Sequence, residues 1–320
     1  KPPYSSRAQA SIRPENPPKE KQSTVAFHVH LRPDWKSLKV NPEKRLSLIR
    51  SQMFGVDMIS LRNLTLSGIV LLWGTQISAH EFWIEASEHY TEPEATVDLT
   101  LKVGETFRGS AQPLLPGEVE QFLQITETTS SIDGLLGDSR PAARIITVDG
   151  LNQVIHQTTP FSIRFGEGDE RWANYIELDG LSRQLSQYPD IPKAVPVTER
   201  YVRCAKSLIK AGNTNVSDSL SLRMPFELVL QGEWAQIGTG RHVFTLFEAE
   251  KPLANVLVKA FRHNDRSVVS EAYTDANGRV ELVLPSADRY LISGVVIRPD
   301  DDPNYDWISH WPTITLEVLD

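Results

Sequence analysis

His80 and Glu81 stand where the chain could make a metal chelate out of its own backbone. Residues Met58 to Trp83, MISLRNLTLSGIVLLWGTQISAHEFW, read as a secretory signal peptide. Arg62 supplies the positive start, Leu64 to Trp73 the apolar run and Ile77-Ser78-Ala79 the small-residue cleavage site. The apolar run falls short of the roughly 20 residues a membrane-spanning helix needs. Cleavage after Ala79 would make His80 the first residue of the exported protein. Its α-amine and imidazole, with ordinary pKa values of about 7.7–8.0 and 6.5, could then hold one ion together as neutral donors. Mixed nitrogen and oxygen donors suit Ni(II) or Cu(II).

Six histidines follow that junction: His80, His89, His156, His242, His263 and His310. None forms HExxH, and the single cysteine excludes a CxxC pair, so a metal site would have to be assembled from distant segments. The candidate partners of His80 are Glu81, His263, Asp306 and His310; packing roles are expected of the other histidines. The run Asp300-Asp301-Asp302 with Asp306 could hold a hard cation, or could simply be a solvated loop.

Enzymatic signals are poor. No G-x-S-x-G surrounds a serine, and Gly238-Thr239-Gly240-Arg241 lacks the Lys-Ser/Thr ending of a phosphate loop. A histidine-brace copper oxidase would need a second histidine facing His80. Trp83, Trp172, Trp234, Trp307 and Trp311 could offer stacking platforms to a carbohydrate, or could pack in cores. The non-enzymatic alternative to metal binding is therefore a carbohydrate- or protein-binding module of the cell envelope.

The chain holds 33 Lys and Arg against 41 Asp and Glu. Residues 1–57 carry eleven of the basic and five of the acidic residues, with proline-rich patches, and read as a disordered leader or as translation upstream of a true start at Met58. Setting these and Arg62 aside leaves 21 basic and 36 acidic residues over 80–320, a formal net of −15. Such a surface disfavours nucleic acid and concentrates cations. Cys204 allows no intramolecular disulfide and is expected to be buried. The exported product is expected to be periplasmic or secreted, with no membrane span after signal cleavage.

To position these residues the chain must build β-structure. TVDLTLKV at Thr96–Val103 alternates apolar and polar residues, and Gln121–Ile125, Ala143–Val148 and Phe161–Phe165 are further strand candidates. From 166 the period changes: Trp172 to Leu185 and Thr198 to Lys210 show three-and-four spacing and predict two helices. After Pro225 seven short strand candidates return, Phe226–Leu230 through Thr313–Val318, with a hairpin turn at Thr274–Arg279. The expected organisation is mainly β: a sandwich over 80–165, a helical connector over 166–221 and a second sandwich over 222–320, both immunoglobulin-like or prealbumin-like.

Several motifs in order resemble a known family. They are Ala79-His80-Glu81-Phe82-Trp83-Ile84-Glu85, Val103-Gly104-Glu105-Thr106-Phe107-Arg108-Gly109, Arg200-Tyr201-Val202-Arg203-Cys204-Ala205-Lys206 and Tyr305-Asp306-Trp307-Ile308-Ser309-His310-Trp311. Together they resemble the NikM-like class of exported bacterial proteins over most of residues 79–320. The resemblance implies a domain of unknown function associated with nickel or cobalt uptake, and so a metal-binding accessory protein whose partner is an inner-membrane metal transporter. Ni(II) or Co(II) is the expected ion, with Cu(II) the alternative.

Overall fold

The computed structural model describes residues 80–214, 216–217, 223–234 and 236–320. The leader and signal segment expected over residues 1–79 lie outside the described residues.

Three sheets carry the architecture. A small one joins β1 (Glu81–Ala86), β2 (Thr96–Glu105) and β3 (Arg108–Ala111), with β5 (Ala143–Ile146) sharing with β3 the edge of β2 opposite β1. The large sheet includes β4 (Val119–Ile125), β6 (Gly150–Thr158), β8 (Val197–Ala211), β11 (Leu257–Arg262), β12 (Val268–Tyr273), β14 (Asp288–Gly294) and β16 (Trp307–Val318). Its path runs β12-β11-β14-β16-β8-β6-β4, with β7 (Phe161–Phe165) also on β8 and β15 (Val296–Pro299) also on β16. In the third, β10 (Gly240–Glu248) lies between β9 (Phe226–Leu230) and β13 (Arg279–Leu284).

The large sheet backs both smaller ones, and each pairing encloses a core. Ile84, Leu99 and Ile145 of the first small sheet meet Phe122, Val154 and Ile209 of the large one. Leu228, Phe244 and Leu282 of the other meet Val258, Ile292 and Ile314. The fold is mainly β and packs as sandwiches, because most strands offer an apolar face that must be covered. The alternating pattern at Thr96–Glu105 and at RVELVL, Arg279–Leu284, reads directly as inward and outward residues.

The two halves are joined through one long parallel pair. β8 runs alongside β16 from Glu199 opposite Trp307 to Ser207 opposite Thr315. The helix expected over Thr198–Lys210 is therefore a strand. Val202, Cys204, Ala205, Leu208 and Ile209 are buried at spacings that mimic a helix, but both faces of this strand are covered, so no alternation survives. Cys204 is buried as expected, and burial pushes its thiol pKa up.

Two helices do occur in the expected connector. In α1 (Glu170–Leu178) the Asp169 carboxylate caps the start by accepting from the Arg171 N–H at 3.1 Å. Its end is set by Gly180, whose φ of +62° is the left-handed conformation that closes a helix. A short α2 (Ser182–Leu185) follows. Trp172, Tyr175 and Leu185 bury against Trp307 and Trp311 of β16. The Thr274–Arg279 turn forms, with Asp275 Oδ1 accepting from the N–H groups of Asn277 and Arg279 at 2.8 and 2.9 Å. It is not the expected hairpin: β12 before it pairs with β11 in the large sheet and β13 after it pairs with β10, so the turn crosses between sheets. No helix among the described residues is long and apolar enough to cross a membrane.

Candidate functional site

His80 immediately precedes β1, and the antiparallel register of β1 on β2 places Glu81 opposite Gly104. One further residue in each direction sets His80 against Glu105, and the His80 Nδ1 lies 3.0 Å from Glu105 Oε1. The β2–β3 connection is a tight turn in which Thr106 and Phe107 both hold positive φ, 50° and 60°. A β-branched residue rarely adopts that conformation. The turn is secured from outside: Phe107 packs edge-on against Trp83 at 5.4 Å, and Arg266 donates to its carbonyl.

The hairpin tip, α1 and β11 enclose a cleft of about 590 Å³ lined by His80, Glu81, Glu105, Tyr175, Asp179 and Lys259, among others. Glu81 is buried, and its carboxyl pKa is pushed up to about 8, by burial first and by Asp179 second, with Lys259 opposing. At neutral pH it is mostly a neutral acid. Burial also raises the Asp179 carboxyl, although the Lys259 ammonium donates to it at 3.1 Å. Lys259 also donates to the Leu178 carbonyl at the end of α1, which ties the helix to β11.

Below Tyr175 lies a buried polar chain. The Tyr175 hydroxyl donates to Glu199 Oε1 at 3.1 Å, and the Ser309 hydroxyl donates to the same oxygen. Trp311 Nε1–H in turn donates to the Ser309 hydroxyl at 3.0 Å. Burial raises the Glu199 carboxyl to about 7, opposed by these donors.

Of the expected metal ligands, the structure brings His80 and Glu81 to this cleft and no others. His263 follows β11 and packs edge-on against Phe107 at 5.3 Å; burial and Arg266 lower its pKa. Asp306 is engaged elsewhere: its Oδ2 accepts from the Thr198 N–H at 2.8 Å and hydroxyl at 2.7 Å. His310 points to the opposite face of β16 from Ser309 and Trp311 and lies over Phe226. The acidic run is also spent internally, with Asp300 paired to Arg200 and Asp302 accepting from Asn304.

Glu105, Asp179 and Lys259 are cleft residues that the sequence did not single out. For Glu105 the signal lay in Val103–Gly109, whose turn ends β2 at Glu105; the register of β1 on β2 then sets it beside His80. Among the described residues no three His, Cys, Asp or Glu side chains are grouped to hold a metal ion. His80 and Glu105 alone form a pair of suitable spacing: two donors about 2.0–2.1 Å from one ion, at right angles, are about 2.9 Å apart. Side chains by themselves therefore make an incomplete site, and a third donor has to come from elsewhere.

The tryptophan platforms are absent where they can be judged: Trp83, Trp172, Trp307 and Trp311 are all buried in cores. Among known proteins, a family model described as a domain of unknown function, DUF4198, matches residues 77–297. No curated protein matches the chain. A similar solved structure is described as the D0-D1 domain of Intimin, 11% identical, covering 75% of this chain and 98% of its own, with a TM-score of 0.20. At that score the overlap carries no argument.

Proposed function

The chain belongs to the DUF4198 family, and from that premise we propose that it is an exported, periplasmic metal-binding accessory protein that takes Ni(II) or Co(II), or Cu(II) in their place, at His80. One observation carries the reading: the His80 Nδ1 stands 3.0 Å from the Glu105 carboxylate in a cleft they both line. Signal cleavage after Ala79 would place the α-amine on the same residue. Amine, imidazole and carboxylate together make a nitrogen-rich mixed donor set of the kind these ions accept.

Glu81 lies beside this set as a neutral acid. Should it join the ion it must first lose its proton, so metal uptake would release protons and weaken as the pH falls. The net charge of −15 over residues 80–320 raises the cation concentration around the protein as a whole. Delivery to an inner-membrane transporter is the role suggested by the nickel and cobalt association of the NikM-like class.

Isothermal titration tests this with protein whose start at His80 has been verified by mass spectrometry. Ni(II), Co(II) or Cu(II) should bind, and His80→Ala, Glu105→Gln and protein that retains Ala79 should each bind about tenfold more weakly or worse. Binding in the His80-start protein no tighter than in His80→Ala would overturn the reading.

A further inference from the structure

The opposite face of β1 borders a second pocket. Glu81 turns into the cleft, whereas Phe82, the next residue, lines a separate pocket of about 150 Å³ together with Leu101, Leu114, His156, Phe161 and Arg203. The exposed Leu115 and Glu118 also line it, so it reaches the surface.

Two of the pocket's polar side chains have buried nitrogens without a hydrogen-bond partner. His156 is 2% exposed, and neither ring nitrogen has a hydrogen-bond partner. Its ring lies 5.2 Å from Phe82 and 5.0 Å from Phe122. Arg203 Nε is likewise buried without a hydrogen-bond partner. Burial lowers the Arg203 pKa, with Tyr201 and the exposed Glu118 carboxylate at the pocket mouth opposing. Three aromatic rings hold the guanidinium, Phe82 at 5.5 Å and Phe161 and Tyr201 each at 5.3 Å. Its backbone is fixed too, since the Arg203 N–H donates to the Thr158 hydroxyl at 3.0 Å.

Folded proteins pair their enclosed polar atoms, so buried guanidinium and imidazole nitrogens that no protein atom meets indicate a partner that comes from outside. A guanidinium fits a carboxylate with two parallel hydrogen bonds, and a neutral imidazole can donate a third. The walls are apolar, and about 150 Å³ is the cavity size that accepts one benzene. From this we infer that the pocket binds a small organic monocarboxylate with a compact apolar or aromatic body, its carboxylate on Arg203 and His156 and its body against Phe82, Leu101 and Leu114.

The probe is benzoate, compared with benzyl alcohol, which keeps the ring without the charge. In the purified, methyl-labelled protein, benzoate should shift the NMR signals of Leu101 and Leu114 saturably and move the His156 ring-nitrogen signals. Benzyl alcohol and the Arg203→Met variant should each show binding weakened about tenfold or more. No saturable shift with benzoate, or equal binding of benzyl alcohol, overturns the inference. Because both of those readouts use wild-type protein, they decide the matter even if Arg203→Met fails to fold. If it does fold, undiminished benzoate binding overturns the inference as well. Chelator and His80→Ala should leave benzoate binding unchanged, so failure here is distinct from failure of the metal reading.

Discussion

The His310 imidazole lies over the Phe226 ring with centroids 4.4 Å apart and planes inclined by 37°. This contact packs β16 against β9 and keeps the histidine out of any metal site. Burial first, and Arg298 second, push its pKa down from 6.5 to about 4. A histidine depressed in the folded state contributes stability above pH 6.5 that is lost as the pH falls from 6.5 through about 4. His310→Phe should flatten that part of the thermal-stability profile by up to about 3 kcal/mol. His89 and His156, both also lowered to about 4, remain in the variant, so the difference isolates His310. Identical acid slopes in the two proteins would show that His310 is not the titrating group.

Glu81 has the opposite sign. Its folded value of about 8 lies above the ordinary 4.5, so stability is greatest below pH 4.5 and declines as the pH rises through 8. Glu81→Gln mimics the protonated acid. It should match wild type near pH 4.5 and exceed it by about 2–4 kcal/mol at pH 8, by denaturant unfolding. A gain of that size would mark Glu81 as a group retained at a cost to stability, as functional residues often are.

Asp306 is a positioning group for the start of β8, not a ligand. Removing its two bonds to Thr198 with Asp306→Ala should lower stability by about 1–3 kcal/mol and leave metal affinity unchanged. A loss of Ni(II) or Co(II) binding in a folded Asp306→Ala protein would return this residue to the site.

Lys206 and Glu227 form an ion pair at 2.5 Å with both side chains almost fully enclosed. Glu227 also accepts from the Met224 N–H at 2.6 Å, so its charge is held from two sides. Lys206→Met would strand that carboxylate and should cost about 3–5 kcal/mol. The double variant Lys206→Met with Glu227→Gln should recover part of it, and a double-mutant cycle measures the coupling.

Much of the β-architecture was legible locally. TVDLTLKV and RVELVL alternate because one face of each strand is covered and the other is not, and the Asp275–Gly278 turn carries its own hydrogen-bond logic. The helix at Glu170–Leu178 was legible from the helical spacing of residues such as Trp172 and Tyr175, although the expected run to Leu185 is broken at Gly180. These features depend on near neighbours, and near neighbours are what a sequence records.

Val197–Ala211 could not be read that way. It lies inside the large sheet with partners on both edges and layers on both faces, so the alternation that identifies a strand is erased. Lys206 belongs in that interior only because Glu227, on another strand, meets it. The site divides along the same line. His80 and Glu81 stood out from their own chemistry, whereas Glu105 joined them through the register of β1 on β2. His263, Asp306 and His310 had the right chemistry for a ligand set but were claimed by Phe107, Thr198 and Phe226. Residue types determined which groups could bind a metal; distance and packing, properties of the folded chain alone, decided which of them meet.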